Sequence, residues 1–283
     1  MANANHILNS LFTQKVFKEL IGTGENNVYQ AAVKRYAKES STNLDAIKAI
    51  YKELSVGHRN EYFYLNTLLN KWLIGVHRTS KTTTALTQIP IGNSIADFIL
   101  MNGISVVYEI KTELDSFDRL ESQIADYYKA FNHVCVVVPE CNFEKVSLML
   151  SNINVGIYSL TKNNTISQKN KKEPNEDNSL LNHLSLFKVL NKKEYENILL
   201  KQFGELPDAK PVFYYDECLR TFNKIPVDCA YTLFIDELKK RNRIDKYILT
   251  EIPDELKALF YFFNPAYRDF DGLVEFLSKP LGG

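Results

Sequence analysis

Residues 104–138 read ISVVYEIKTELDSFDRLESQIADYYKAFNHVCVVV, and the two ends of this stretch decide the fold. Val134 to Val138 is an unbroken apolar run. Such runs belong to strands buried on both faces, typically parallel strands reached through a helical crossover. Ile104 to Lys111 is β-branched and aromatic, the composition of another strand. Between them the sequence predicts a helix opened by Asp115, with Phe117, Leu120, Ile124, Tyr127, Tyr128 and Phe131 on its buried side. Asp118 adds a second acidic group to a first turn where the helix dipole favours one.

Upstream, residues 86–91 and 95–101 are short and apolar, with turn signals at Gly92-Asn93 and Asn102-Gly103. Downstream, a helix over 142–151 and a strand over 155–160 follow. Helices are expected through 7–74, the third of them capped by Asn43 and the fourth starting near His58. From residue 58 the order is α-β-β-β-α-β-α-β. Residues 161–179, TKNNTISQKNKKEPNEDNS, have almost no apolar side chain and read as a linker or a mobile loop. Residues 180–283 are mostly helical in pattern. The expected organisation is therefore an N-terminal helical region (1–57), an α/β core (58–160), the linker (161–179) and a helical C-terminal domain (180–283).

Lys plus Arg and Asp plus Glu both number 34 among 283 residues, so the formal charge is zero. This excludes a histone-like basic polymer and an acidic mimic of DNA. Any positive surface must be a local patch. The four cysteines, at 135, 141, 218 and 229, make no CxxC pair, which fits a reducing compartment. The five histidines form no HxH or HExxH cluster. The N-terminus lacks a signal-peptide core, and no apolar stretch reaches about 18 residues. A soluble, cytoplasmic protein with no membrane partner is expected.

The chemistry lies in Ser94-Ile-Ala-Asp97 and Tyr108-Glu-Ile-Lys111. Asp97 and Glu109 are flanked by apolar strand residues, where a charge is costly unless paired or metal-bound. Glu109 and Lys111 are two apart and leave one face of their strand. Glu61 sits at the edge of the apolar stripe of the preceding helix. Carboxylates converging on one point suit Mg²⁺ or Mn²⁺. A lysine beside such an ion can hold the water that attacks phosphorus. The plainer reading of Glu-x-Lys alone is an edge-strand salt bridge. Gln123 and Tyr127 are four apart and share a helix face; alone, one reads as a surface amide and the other as core.

Taken together, Asp97, Glu109-Ile110-Lys111 and Gln123-x-x-x-Tyr127 resemble the PD-(D/E)xK nuclease superfamily, in its RecB-like branch. Arg59-Asn-Glu-Tyr62, Gly92-Asn-Ser-Ile-Ala-Asp97 and the run Tyr108 to Gln123 resemble, more closely, a bacterial and prophage family of that superfamily with no established role. The resemblance covers about 58–140. It implies a restriction-endonuclease-like core and a Mg²⁺- or Mn²⁺-dependent nuclease, acting on DNA in preference to RNA, in phage defence or prophage biology. It further implies that Asp97, Glu109 and the Ile110 carbonyl hold the metal, joined by Glu61. Lys111 would orient the attacking water, and Gln123 and Tyr127 would steady the metal shell and the phosphate backbone. Ala96 stands where that superfamily often has proline. Arg59 and Arg119 are candidates for phosphate contact, with surface ion pairing the commoner fate of either. Zero net charge argues against tight, indiscriminate binding. It favours low resting activity, or targeting through the C-terminal domain or a protein partner. The rival readings are a nuclease-fold regulator that binds nucleic acid or protein without cutting, and a regulatory or toxin-like role for residues 180–283.

Geometry constrains these readings. A shared ion requires the Asp97 and Glu109 carboxyl groups within about 6 Å. Asn102-Gly103 usually signals a two-residue hairpin turn. That turn would put Asp97 and Glu109 on opposite faces. The metal reading therefore expects an odd-length turn centred near Gly103, or a bend between Ser94 and Ile99. Relief of like-charge repulsion is expected to leave the metal-free protein as stable, or more so, when either carboxylate is neutralised.

Overall fold

The computed structural model describes residues 2–76, 83–241, 246–263 and 267–281. The chain forms two compact units, Met1–Arg78 with Arg243–Gly283, and Thr79–Asn242.

The first unit is helical. Its N-terminal part holds α1 (Ala2–Leu11), α2 (Gln14–Thr23), α3 (Asn27–Tyr36), α4 (Asn43–Gly57) and α5 (Glu61–Leu68), the last running on as a π-helix over Leu69–Val76. Leu11, Phe17, Leu20, Ile47, Ile50, Leu54 and Leu68 are fully buried, as their helical spacing predicts. Thr42, not Asn43, caps α4, through a capping box with Asp45. Asn43 is used inside: its Oδ1 accepts from the Tyr29 hydroxyl at 2.6 Å, and its Nδ2 donates to the Phe276 carbonyl at 2.9 Å.

The second unit carries a six-stranded mixed sheet in the order β1-β2-β3-β4-β5-β6. The strands are β1 (Thr84–Ile91), β2 (Ser94–Asn102), β3 (Ile104–Ile110), β4 (His133–Pro139), β5 (Gly156–Leu160) and β6 (Ile166–Lys172). β3, β4 and β5 are parallel, joined through α6 (Leu120–Tyr127) and α7 (Phe143–Met149); the remaining pairs are antiparallel. Then come α8 (His183–Val189), α9 (Lys192–Phe203), α10 (Pro211–Phe222) and α11 (Val227–Leu238). The α12 (Lys246–Glu251), α13 (Lys257–Phe263) and α14 (Tyr267–Ser278) helices return to the first unit. The mixed α/β class and the α-β-β-β-α-β-α-β order stand. Among the described residues no helix is long and apolar enough to cross a membrane.

Three expectations change. Residues 161–179 are not a linker throughout, because β6 pairs antiparallel with β5. An edge strand needs no apolar alternation, and its lysines discourage further pairing. The helix after β3 begins at Leu120, not Asp115. Asp115 Oδ2 instead accepts from the Thr112 N–H at 2.6 Å and ties down the preceding loop. Residues 180–283 are helical but are not one domain. Leu186, Phe187, Ile198, Phe222 and Phe234 share a buried cluster with Val107, Val136, Ile124 and Tyr127, which joins α8–α11 to the sheet. The later helices are tied to the N-terminal ones: Tyr62 donates to the Glu255 carbonyl, Asn66 to the Asp254 carbonyl, and Thr42 bridges Pro280. The contact boundaries therefore fall at 78/79 and 242/243, not at 57, 160 and 179.

Candidate functional site

The β2–β3 hairpin sets the site. Its pairs run from Asn102↔Ile104 to Phe98↔Tyr108. The turn rests on Gly103 alone, at φ +74°, a left-handed conformation open to glycine without steric cost. One step further, this register sets Asp97 opposite Glu109, and opposed residues share a face. The odd-length turn that the two carboxylates demanded is present.

The ladder ends there. The Ile110 N–H donates to Asp97 Oδ2 at 2.8 Å, a side chain standing where backbone would be. Across β2, pairing with β1 lapses between Thr87↔Phe98 and Ile89↔Ala96. Gln88, which would face Asp97, has φ +54°, a region that costs a non-glycine residue about 1–2 kcal/mol. The Thr87 hydroxyl donates to the Asp97 carbonyl at 2.5 Å. Backbone irregularity in β1 thus coincides with the residue that leaves the regular ladder.

Glu109 is the centre of the cluster and is 2 % exposed. Lys111 Nζ pairs with its Oε1 at 2.8 Å, and Gln123 Nε2 donates to the same oxygen at 2.5 Å. Lys111 also donates to Gln123 Oε1 at 2.9 Å, so both ends of the Gln123 amide are fixed. The Tyr127 hydroxyl lies 2.5 Å from Glu109 Oε2 and 2.8 Å from the Ile95 carbonyl. It has one hydrogen for two acceptors, and the charged one makes the stronger bond. Burial raises the Tyr127 pKa far above the ordinary tyrosine value, and the charges of Glu109 and Asp97 raise it further. Tyr127 therefore remains a donor. Spacing of four brings Gln123 and Tyr127 to one face of α6, over β2 and β3.

Sequence reasoning missed Asp126, the residue that docks α6. Its Oδ2 accepts from the Asn93 N–H at 3.0 Å and from the Ser94 hydroxyl at 2.8 Å; its Oδ1 pairs with Lys129 at 2.6 Å. This fixes the helix on the β1–β2 turn, one residue from Tyr127. Gly92 in that turn has φ +62°, and a Cβ there would lie 2.6 Å from Asp126 Oδ1. Gly92→Ala is accordingly expected to cost about 2 kcal/mol in unfolding free energy, from backbone strain and overpacking. An unchanged denaturation midpoint would count against this docking role.

Burial works to raise the Asp126 pKa. Hydrogen bonds from Lys129, Ser94 and Asn93, with the Lys129 charge, outweigh that and hold it below the ordinary aspartate value. A carboxylate lowered in the folded state adds stability above its unfolded pKa, about 3.9, and loses it as pH falls through the folded value. The stability gap between wild type and Asp126→Asn should therefore be constant near neutral pH and shrink below about pH 4. Denaturant melts at stepped pH measure it; a gap that widens in acid reverses the assignment.

Ile110 lies beside the pair in β3. Glu61 stands on the exposed first turn of α5, in the first unit, whereas Asp97 and Glu109 belong to the second. Arg59, also in the first unit, lies over the Tyr64 ring at 5.6 Å. Arg119 is exposed just before α6. Among the described residues no group of three or more His, Cys, Asp or Glu is gathered to hold a metal ion. Two carboxylates do not exclude Mg²⁺, which retains several waters and is usually bound by one or two carboxylates plus substrate phosphates. The donor set of Asp97 and Glu109 fits such an ion in kind, being hard oxygen, and Glu109 already draws a cation, the Lys111 ammonium, to itself.

A family model described as Bacteriophage P4 protein cII matches residues 54–251. The match spans the whole sheet and α6–α11. No curated protein and no solved structure matches the chain.

Proposed function

The chain belongs to the bacteriophage P4 protein cII family, and from that premise and the Glu109 cluster we propose that it is a metal-dependent nuclease working in phage biology. The single observation that carries the reading is the convergence of Asp97, Glu109, Lys111, Gln123 and Tyr127 at the end of β3. Asp97 and Glu109 would hold Mg²⁺ or Mn²⁺, with the Ile110 carbonyl beside them. Such an ion, when bound, lowers the pKa of a bound water and offsets charge on the phosphoryl oxygens. Lys111, 12 % exposed, is placed to hold a water or a phosphate oxygen through its ammonium. Gln123 and Tyr127 fix the Glu109 carboxylate in one rotamer. The substrate is nucleic acid, DNA before RNA. A restriction-endonuclease-like core is part of the same proposal.

The test is incubation of the purified protein with plasmid, linear duplex, single-stranded DNA and RNA, each with Mg²⁺, Mn²⁺ or EDTA. Cleavage that needs the divalent ion is expected. A second reading, a regulator that binds nucleic acid or protein without cutting, is favoured by one observation: Lys111, Gln123 and Tyr127 already occupy both Glu109 oxygens. Retention of every substrate uncut, with saturable binding of one, would select it.

A further inference from the structure

At the other end of the parallel strands a cavity of about 290 Å³ is lined by Ser105, His133, Glu176, Tyr231, Ile235 and Lys239, among others. Ser105 is four residues from Glu109, about 13 Å along β3, so this is a separate place in the second unit. Its chemistry follows from hydrogen-bond bookkeeping. Asn132 Nδ2 lies 3.2 Å from Glu176 Oε1, and a carboxylate oxygen can only accept there. The Tyr231 hydroxyl donates to Asn132 Oδ1 at 2.7 Å. The amide is therefore oriented with its oxygen toward His133, whose Nδ1 is 2.9 Å away. Nδ1 must carry the hydrogen. Burial lowers the His133 pKa, with Glu176 opposing, so the ring is neutral and its lone pair is on Nε2.

His133 is 8 % exposed. Among the described residues its Nε2 has no hydrogen-bond partner. Nε2 is not sealed from solvent, so it can take a hydrogen from a ligand that enters the cavity. The same walls carry charges of both signs. Glu176 Oε1 takes amide hydrogens from Asn132 and Asn178, leaving Oε2 without a partner among the described residues. Lys239 makes no ion pair among them, and Ile104 and Ile235 supply apolar wall.

We propose that this cavity binds a small zwitterion, a free amino acid, with its ammonium on Glu176 and His133 Nε2 and its carboxylate on Lys239. The proposal is independent of the nuclease reading. A zwitterion satisfies the acceptor, the carboxylate and the ammonium at once. A metal ion would need a donor cluster that the described residues do not form. A nucleobase would leave Lys239 without an anion.

The test is saturation-transfer NMR on the full chain with the common amino acids at up to about 10 mM, and separately with the four ribonucleosides, followed by titration of any hit. At least one amino acid should bind saturably and the nucleosides should not. Thr232→Trp, from an exposed rim position, should fill the cavity, and Lys239→Met should remove the carboxylate partner. Each should weaken binding about tenfold or more while the thermal melt stays unchanged. His133→Phe should do the same; should it fail to fold, the two rim variants decide the matter alone. No bound amino acid, equal binding by Thr232→Trp, or binding of nucleosides alone overturns the proposal.

Discussion

Lys111→Met should lose about 10²–10⁴-fold of divalent-dependent cleavage, the range over which a positioned proton-handling or charge-stabilising group contributes to rate. Asp97→Asn and Glu109→Gln should fall as far, because each replaces one of the two anionic carboxylates by a neutral amide. Methionine keeps the length and apolar stem of lysine, so packing along β3 is preserved while the ammonium is lost. The measurement is single-turnover cleavage at saturating Mg²⁺, alongside circular dichroism on each variant. Gln123→Ala and Tyr127→Phe act through Glu109 and should lose less, with a raised Mg²⁺ requirement as the mark of a loosened ligand. Full activity in folded Lys111→Met would remove Lys111 from the chemistry.

The second large effect is on stability without metal. Two carboxylates facing one another suggest that neutralising either should relieve repulsion. The ion pair changes that expectation for Glu109. With Lys111 gone, Glu109 remains 2 % exposed, supported by two neutral donors only. Breaking a buried pair by removing one partner costs about 3–5 kcal/mol, whereas replacing both is close to neutral. Lys111→Met should therefore lower the metal-free unfolding free energy by about 3 kcal/mol. Glu109→Gln combined with Lys111→Met should regain most of it, a coupling that the double-mutant cycle reads directly. Saturating Mg²⁺ should stabilise Lys111→Met more than wild type, since an ion bound at Glu109 replaces the missing cation. Strictly additive single variants would refute the coupling, and this readout does not depend on cleavage.

Much of this site was legible because it obeys local periods. A spacing of two put Glu109 and Lys111 on one side of a strand, and a spacing of four put Gln123 and Tyr127 on one side of a helix. The demand that Asp97 share a face with Glu109 selected the turn at Gly103 against the usual preference of Asn-Gly. The five-strand order through residue 160 was legible for the same reason. What escaped is what periodicity does not encode. Asp126 looks like any polar helix residue; only the approach of the Gly92 turn gives its carboxylate partners. Asp115 has the look of a helix cap, but its side chain closes a loop. β6 has no apolar alternation because one edge of it pairs with nothing further. Arg241 likewise reads as a surface cation, yet it grips both oxygens of the buried Glu194 at 2.7 Å. The division of the C-terminal helices between two units depends on which partner offers a matching apolar face, information spread over the whole chain.

The order of strands has a consequence for synthesis. Each strand of the sheet lies beside its immediate predecessor in sequence. Pairings of short sequence separation form early and at low entropic cost. The sheet can therefore be laid down strand by strand as the polypeptide leaves the ribosome. The first unit has the opposite fate. Its helices α1–α5 emerge ahead of the sheet, yet their partners in α12–α14 follow it. While the second unit is synthesised, at about 5–20 residues per second, the faces of α2, α4 and α5 that meet α13 and α14 wait for those partners. A stop near residue 242 would release the sheet attached to helices that lack those partners.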